Sequence, residues 1–293
     1  MIFLLSVYAW LLAKLPEVSA RLNAWGLGWI LWRMRGKLIR RNLAAGFPEK
    51  DLAWVRRVGR TSCSRTAEMA LYSLASTMMS EAEIRRRVTV DSQTLVPMAQ
   101  NVTQGKGNVL FVPHFNLMEM MTAIPFVGQG IDHVEWYTLY RPLNQPSLDA
   151  WVKRMRERFG VKLVSRKEGF SQLMQAMRKG QNAVVLFDQN TSSGVRIQFL
   201  GRPCAVTDLP GLIAQRFHAT GWIFWTERLG FWKCELRIQK LTAQDSARLT
   251  LESNAWLEQK LRSDDEACAN WLWAHDRWKN GLTHDIKDLE IKS

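Results

Sequence analysis

Four short, β-prone apolar runs stand out in the second third of the chain: Asn108 to Val112, Glu135 to Tyr140, Val161 to Val164 and Ala183 to Phe187, each bounded by turn or polar residues. Helical stretches separate them, Ser147 to Phe159 and Phe170 to Arg178. In the latter, Phe170, Leu173, Met174 and Met177 fall at i, i+3, i+4 and i+7 and draw one apolar stripe. Strands that alternate with helices are joined by crossovers rather than tight turns. The pattern therefore predicts an α/β fold with a parallel or mixed central sheet covered by helices. Upstream, a helical pattern covers Leu52 to Met79, and Ser80-Glu81-Ala82-Glu83 opens another helical turn. Downstream, Trp222 to Glu227 and Trp232 to Lys240 read as a hairpin around Leu229-Gly230, followed by a long helix from about Asp245 to Arg262. With no repeat and no long linker, the expectation is one domain over residues 46–293 behind a helical N-terminal segment, 1–45.

Composition narrows the function classes. The 293 residues carry 40 Lys+Arg against 27 Asp+Glu, a net charge of +13, with 47% hydrophobic residues. Such a chain is neither disordered nor of low complexity. Cys63, Cys204, Cys234 and Cys268 stand singly, without C-x-x-C or metal-type spacing, which argues against a disulfide scaffold or zinc module and fits a reducing compartment. Fourteen Trp beside four Tyr is unusual. A basic, Trp-rich chain calls for an anionic partner, either nucleic acid or a membrane surface.

The N-terminus favours the membrane. Ile2 to Ala13 is an uncharged apolar run, and a second run, Ala24 to Trp32, leads into Arg33, Arg35, Lys37, Arg40 and Arg41. Neither reaches the ~20 residues that span a bilayer. Val18-Ser19-Ala20 resembles a signal cleavage site, yet no basic residue precedes the run, and Lys14 and Glu17 interrupt it. The expectation is a hydrophobic anchor helix lying in or dipping into the membrane, its Arg/Lys edge at the headgroups.

No G-x-S-x-G, Walker A, H-E-x-x-H or strand-led G-x-G-x-x-G motif occurs. Of five histidines, only His114 has an acid five places on, Glu119. That spacing alone is weak, but its setting is informative. His114 ends the buried-type strand Asn108 to Pro113, and Asn116 is placed to cap a helix that starts at Leu117 and carries Glu119. Ligands of open α/β sheets bind beyond the carboxyl ends of strands. A carboxylate there orients an imidazole and stabilises its cation, making a general base.

Six ordered blocks then resemble the bacterial lipid A biosynthesis acyltransferases, the lauroyl/myristoyl transferases of the lysophospholipid-acyltransferase superfamily. They are Arg41-Asn42-Leu43 with Phe47-Pro48-Glu49; Val112-Pro113-His114-Phe115 to Glu119; Tyr140-Arg141-Pro142-Leu143; Phe187-Asp188-Gln189-Asn190; Phe199-Leu200-Gly201-Arg202-Pro203; and Asn254, Glu258 and Trp271 to Lys279. The second is similar to the catalytic H-x4-D/E box. Asn190, Cys204 to Thr207 and Asp276 depart from the pattern; these bear on the acceptor, and none touches His114 or Glu119.

The resemblance implies transfer of a fatty acyl group from a thioester, on acyl carrier protein or coenzyme A, to a hydroxyl of a lipid A-type glycolipid precursor at the cytoplasmic face of the inner membrane. His114 would be the base and Glu119 its orienting partner, with no metal or other cofactor. Arg141 is assigned to a phosphate of the acceptor or the carrier's phosphopantetheine, Asp188 and Gln189 to positioning the acceptor, and Arg166 with Lys167 to further phosphate contacts. Met118, Met120 and Met121 suit an acyl groove or simply the core. The basic clusters Arg85 to Arg87 and Lys153, Arg154, Arg156 and Arg158 suit docking of an acidic carrier protein, or are solvated helix faces. Two other readings stay open: the same chemistry on a lysophospholipid, ornithine lipid or phosphoglycolipid, and a non-catalytic basic membrane- or nucleic-acid-binding protein, although no nucleic-acid fold signature is present.

Overall fold

The structure, a computed structural model, describes residues 2–131, 133–165, 169–279 and 287–288. It opens with α1 (Ile2–Lys14) and the long α2 (Glu17–Gly46), followed by α3 (Leu52–Ala75). Asp51 starts α3 by accepting the Trp54 amide at 2.7 Å. The predicted turn at Ser80 is a capping box that opens α4 (Glu81–Arg85). Then come β1 (Val88–Val90), α5 (Ser92–Thr103), β2 (Asn108–Val112), the short α6 (Ile124–Val127), β3 (Trp136–Tyr140), α7 (Pro146–Glu157), β4 (Val161–Ser165), α8 (Phe170–Arg178) and β5 (Asn182–Leu186). The chain continues through β6 (Asn190–Phe199), β7 (Arg202–Val206), α9 (Leu209–Phe217), β8 (Thr220–Gly230), β9 (Lys233–Lys240), α10 (Ser246–Ser263), α11 (Asp265–Ala269) and β10 (Lys287–Asp288).

The predicted alternation is realised as a seven-stranded sheet in the order β1-β9-β8-β2-β5-β3-β4. All neighbours are parallel except β8 and β9, the expected antiparallel hairpin. β2 is fully buried and sits at the centre, as its unbroken apolar run requires for a strand covered on both faces. A second, three-stranded sheet, β10-β6-β7, was not foreseen. Its β6 contains Thr191-Ser192-Ser193-Gly194, which reads as a loop. Gly194 is required there, because a Cβ would fall 2.1 Å from the Val206 carbonyl oxygen.

Two apolar clusters cover the two faces of the main sheet. One joins Val109, Phe111, Val185 and Ile223 to Ile39 and Leu43 of α2, Val55 and Val58 of α3, Leu257 of α10, and Trp271 and Trp273. The other joins Leu110, Val112, Trp136, Leu163 and Phe224 to Leu71 of α3, Leu95 of α5 and Met120. Thus the second half of α2 is a core helix. Its first half and α1 leave Phe3, Trp10, Leu22, Trp25 and Trp29 exposed.

A membrane-crossing anchor is not formed: among the described residues no helix is long and apolar enough to cross a membrane. α1 has 13 residues, about 20 Å of helix, while α2 has 30 but carries Arg33, Arg35, Lys37, Arg40 and Arg41 through its second half.

Candidate active site

His114 lies two residues beyond β2 because Pro113, which has no N–H to give the ladder, ends the strand at Val112. Parallel pairing sets its neighbour. Val112 is in register with Leu186 of β5, so the residues two places beyond each strand, His114 and Asp188, emerge side by side. The His114 amide donates to Asp188 Oδ2 at 2.8 Å, and its ring Nδ1 lies 2.5 Å from Oδ1. Trp271 Nε1 donates to Oδ2 at 2.6 Å, and Arg277 Nη1 donates to the Asp188 carbonyl. Arg277 is wholly buried; Nη2 donates to Asn254 Oδ1, and the guanidinium lies 4.1 Å over the Phe199 ring.

Burial pushes the Asp188 carboxyl upward, but the charge and hydrogen bond of His114, then Arg277 and Trp271, outweigh it and hold the group at about 2. An ionised carboxylate only accepts. Nδ1 therefore keeps its proton in that bond, and a ring that has given up its other proton carries the lone pair on Nε2. His114 lines a cavity of about 880 Å³ that begins at the carboxyl ends of β2, β3 and β5 and continues along the sheet past Met118, Met121, Ile124, Trp136, Leu163 and Phe224. An imidazole nitrogen at a cavity with both polar and apolar walls can take a proton from a hydroxyl bound there.

The structure revises how the predicted residues combine. Glu119 lines the cavity with His114, but its carboxylate is held by Arg156, Nε at 2.8 Å and Nη2 at 2.6 Å. Asp188 holds the His114 ring instead. Asn116 does not cap a helix; it is buried, its carbonyl accepts Thr226 Oγ1 at 2.6 Å, and Leu117 turns into the left-handed region at φ 64°. Glu119 thus enters on a 3-10 helix, Met118–Ala123. Asp188, expected to position the acceptor, is 1% exposed, with its carboxylate oxygens engaged by His114 and Trp271. Arg141 and Gln189 do lie exposed at the cavity, and Asp149 fixes the loop after Arg141 by accepting the Leu143 amide at 2.8 Å. Arg166 and Lys167 lie outside the described residues.

Three residues were not expected to take part. Arg156, read as one of a basic helix face, reaches into the cavity. Trp271, given no role in the sequence beyond its place in the last block, donates to Asp188. His275 lies at the cavity, and its Nε2 accepts the Asn190 amide at 2.9 Å. Among the described residues no group of three or more His, Cys, Asp or Glu side chains is placed to hold a metal ion.

His275 supplies a pH test. Burial is the main cause that holds its pKa below the usual histidine value, and the neutral ring is the acceptor in the Asn190 bond. A depressed folded pKa means that the unfolded chain binds the proton more readily. Stability from this group is present above about pH 6.5 and is lost as pH falls through that value. Thermal melts from pH 7.5 to 5.5 should show a falling midpoint, with a shallower fall in His275→Gln. Equal slopes would refute this role.

An oriented imidazole at a cavity beyond the carboxyl ends of parallel strands is the arrangement of an enzyme's site. The chain matches the family model described as bacterial lipid A biosynthesis acyltransferase over residues 1–280, and it belongs to that family. Comparison with curated proteins gave no match.

Proposed function

We propose that this acyltransferase moves a fatty acyl group from an acyl thioester to a hydroxyl of a lipid A-type precursor. The observation that carries this reading is the His114–Asp188 pair, whose imidazole lines a cavity with an apolar wall of Met118, Met121, Ile124, Trp136, Leu163 and Phe224. Nε2 takes the hydroxyl proton as the oxygen attacks the thioester carbonyl. The new C–O bond forms, the C–S bond breaks, and the imidazolium returns the proton to the departing sulfur. Asp188 holds the ring and stabilises its transient cation; Arg156 fixes the Glu119 carboxylate on the cavity wall. Arg141 at the mouth is suited to a phosphate on the acceptor or the carrier, with Gln189 beside it.

Membrane association fits the same reading without a spanning helix. Exposed Phe3, Trp10, Trp25 and Trp29 enter the interface at the cytoplasmic face of the inner membrane, and Arg33 to Arg41 meet anionic headgroups. An acidic acyl carrier protein is the donor that suits the remaining positive charge.

The purified full chain, given a lauroyl thioester of acyl carrier protein and a lipid A precursor with unacylated hydroxyls, should release one thiol for each acyl group added. Mass spectrometry of the acceptor should show that gain. Thiol release without it, or no thioester consumption, would overturn the proposal.

A further inference from the structure

The C-terminal segment 271–277 has two sides. Toward the site it sends Trp271 to Asp188 Oδ2, Arg277 to the Asp188 carbonyl and His275 to the Asn190 amide. On the other side its backbone carbonyls are taken one after another by the N-terminal helices. Ser62 Oγ of α3 donates to the Trp271 carbonyl at 2.8 Å. Asn42 Nδ2 of α2 donates to the Trp273 carbonyl at 3.2 Å and the His275 carbonyl at 3.0 Å. Asn42 and Ser62 are each 2% exposed, and Arg41 pairs with Asp276 at 2.7 Å just outside them. The segment contains no helix or extended strand, only an isolated bridge from Trp271 to Phe115, so these side chains supply much of its fixed geometry.

Resting on the reading above, we infer that Asn42 and Ser62 are positioning residues for the His114–Asp188 pair, acting through segment 271–277. Neither lines the cavity, and their polar groups face carbonyls rather than substrate. An amide whose two donors reach alternate carbonyls of one irregular stretch fixes that stretch in both translation and twist. The Trp271 indole can meet Asp188 at 2.6 Å only while the stretch stays in place. A misplacement of about 1 Å at such a base costs up to ~100-fold in rate, while leaving substrate binding at the mouth largely unchanged. The helix that presents the exposed Trp and Arg residues thereby also braces the segment that holds Asp188.

Three measurements on the full chain test this. Asn42→Ala should lower kcat by about tenfold or more with KM changed less than about twofold, in the thioester transfer assay. Combined with Trp271→Phe, which keeps the ring and removes the N–H, its effect should be clearly less than multiplicative, because both act on one link. Independently of activity, hydrogen exchange at the His114 amide, which Asp188 holds, should accelerate in Asn42→Ala. If Asn42→Ala does not fold, Ser62→Ala carries the same measurements. An unchanged kcat, a matching rise in KM, fully multiplicative effects or unchanged His114 exchange would overturn the inference. A His114→Ala variant of full activity would instead overturn the enzymatic reading, leaving the exchange result to judge the coupling alone.

Discussion

Replacing His114 by alanine should reduce acyl transfer by about 10²–10⁴ in kcat, the range expected when a general base is removed. Asp188→Asn should approach the same loss, near the ~10⁴ found when the orienting carboxylate of a catalytic histidine becomes an amide. The amide can present a donor to Nδ1. That favours the tautomer with the proton on Nε2, the nitrogen that must accept. Glu119→Gln probes a different contact, since its carboxylate is held by Arg156 rather than by the imidazole. It should cost less than Asp188→Asn, and the difference should persist at saturating substrate. Steady-state kinetics with all three variants decide the order. If Glu119→Gln proves as damaging as His114→Ala while Asp188→Asn is nearly silent, the pairing seen here is not the working one.

The second large effect concerns stability. Glu68 of α3 is 2% exposed; it accepts the Trp232 amide at 2.9 Å and faces Arg228 Nε and Arg65 Nη1, each at 3.3 Å. Its own carbonyl accepts Trp232 Nε1 at 3.0 Å. Trp232 sits in the β8–β9 turn at φ 50°, a conformation uncomfortable for a bulky residue and held in part by these bonds. Glu68→Ala leaves Arg65 and Arg228 only the half-exposed Glu266 to share, strips the Trp232 amide of its acceptor, and should destabilise the fold by about 3 kcal/mol. For a chain of this size that is a drop of roughly 5 °C in the melting midpoint. Glu266, the half-exposed partner of Arg65 at 2.6 Å, provides the contrast. Glu266→Ala should cost at most about 1 kcal/mol. Equal losses in the two variants would contradict the role given to burial.

The sequence made some of this legible. The strand ending at Pro113 placed His114 at a sheet edge, and the alternation of runs set the fold class, because both depend on local pattern. The partner of His114 was not legible in that way. Glu119 is five residues away and Asp188 is seventy-four, yet the parallel register of β2 and β5 brings the distant one to the ring. Strand order is a tertiary property, and β2 and β5 are not consecutive. Likewise, the left-handed turn at Leu117 replaced the regular helix that the spacing suggested. Arg156 looked like one charge on a solvated face, as nothing in a helical repeat marks which basic residue turns inward. The polar start of β6 concealed a strand whose ladder is completed by β7.

The continuity of α2 has a practical side for anyone who prepares this protein. The rod that exposes Trp25 near its start ends with Asn42 and Leu43 sealed inside the molecule, the latter at 0% exposure. Trimming residues 1–45 to obtain a better-behaved sample would uncover Phe47, Val55 and Val58 and would invite aggregation in place of solubility. Recoding exposed positions such as Phe3, Trp10, Leu22, Trp25 and Met34 to polar residues attacks the same stickiness while keeping the rod whole.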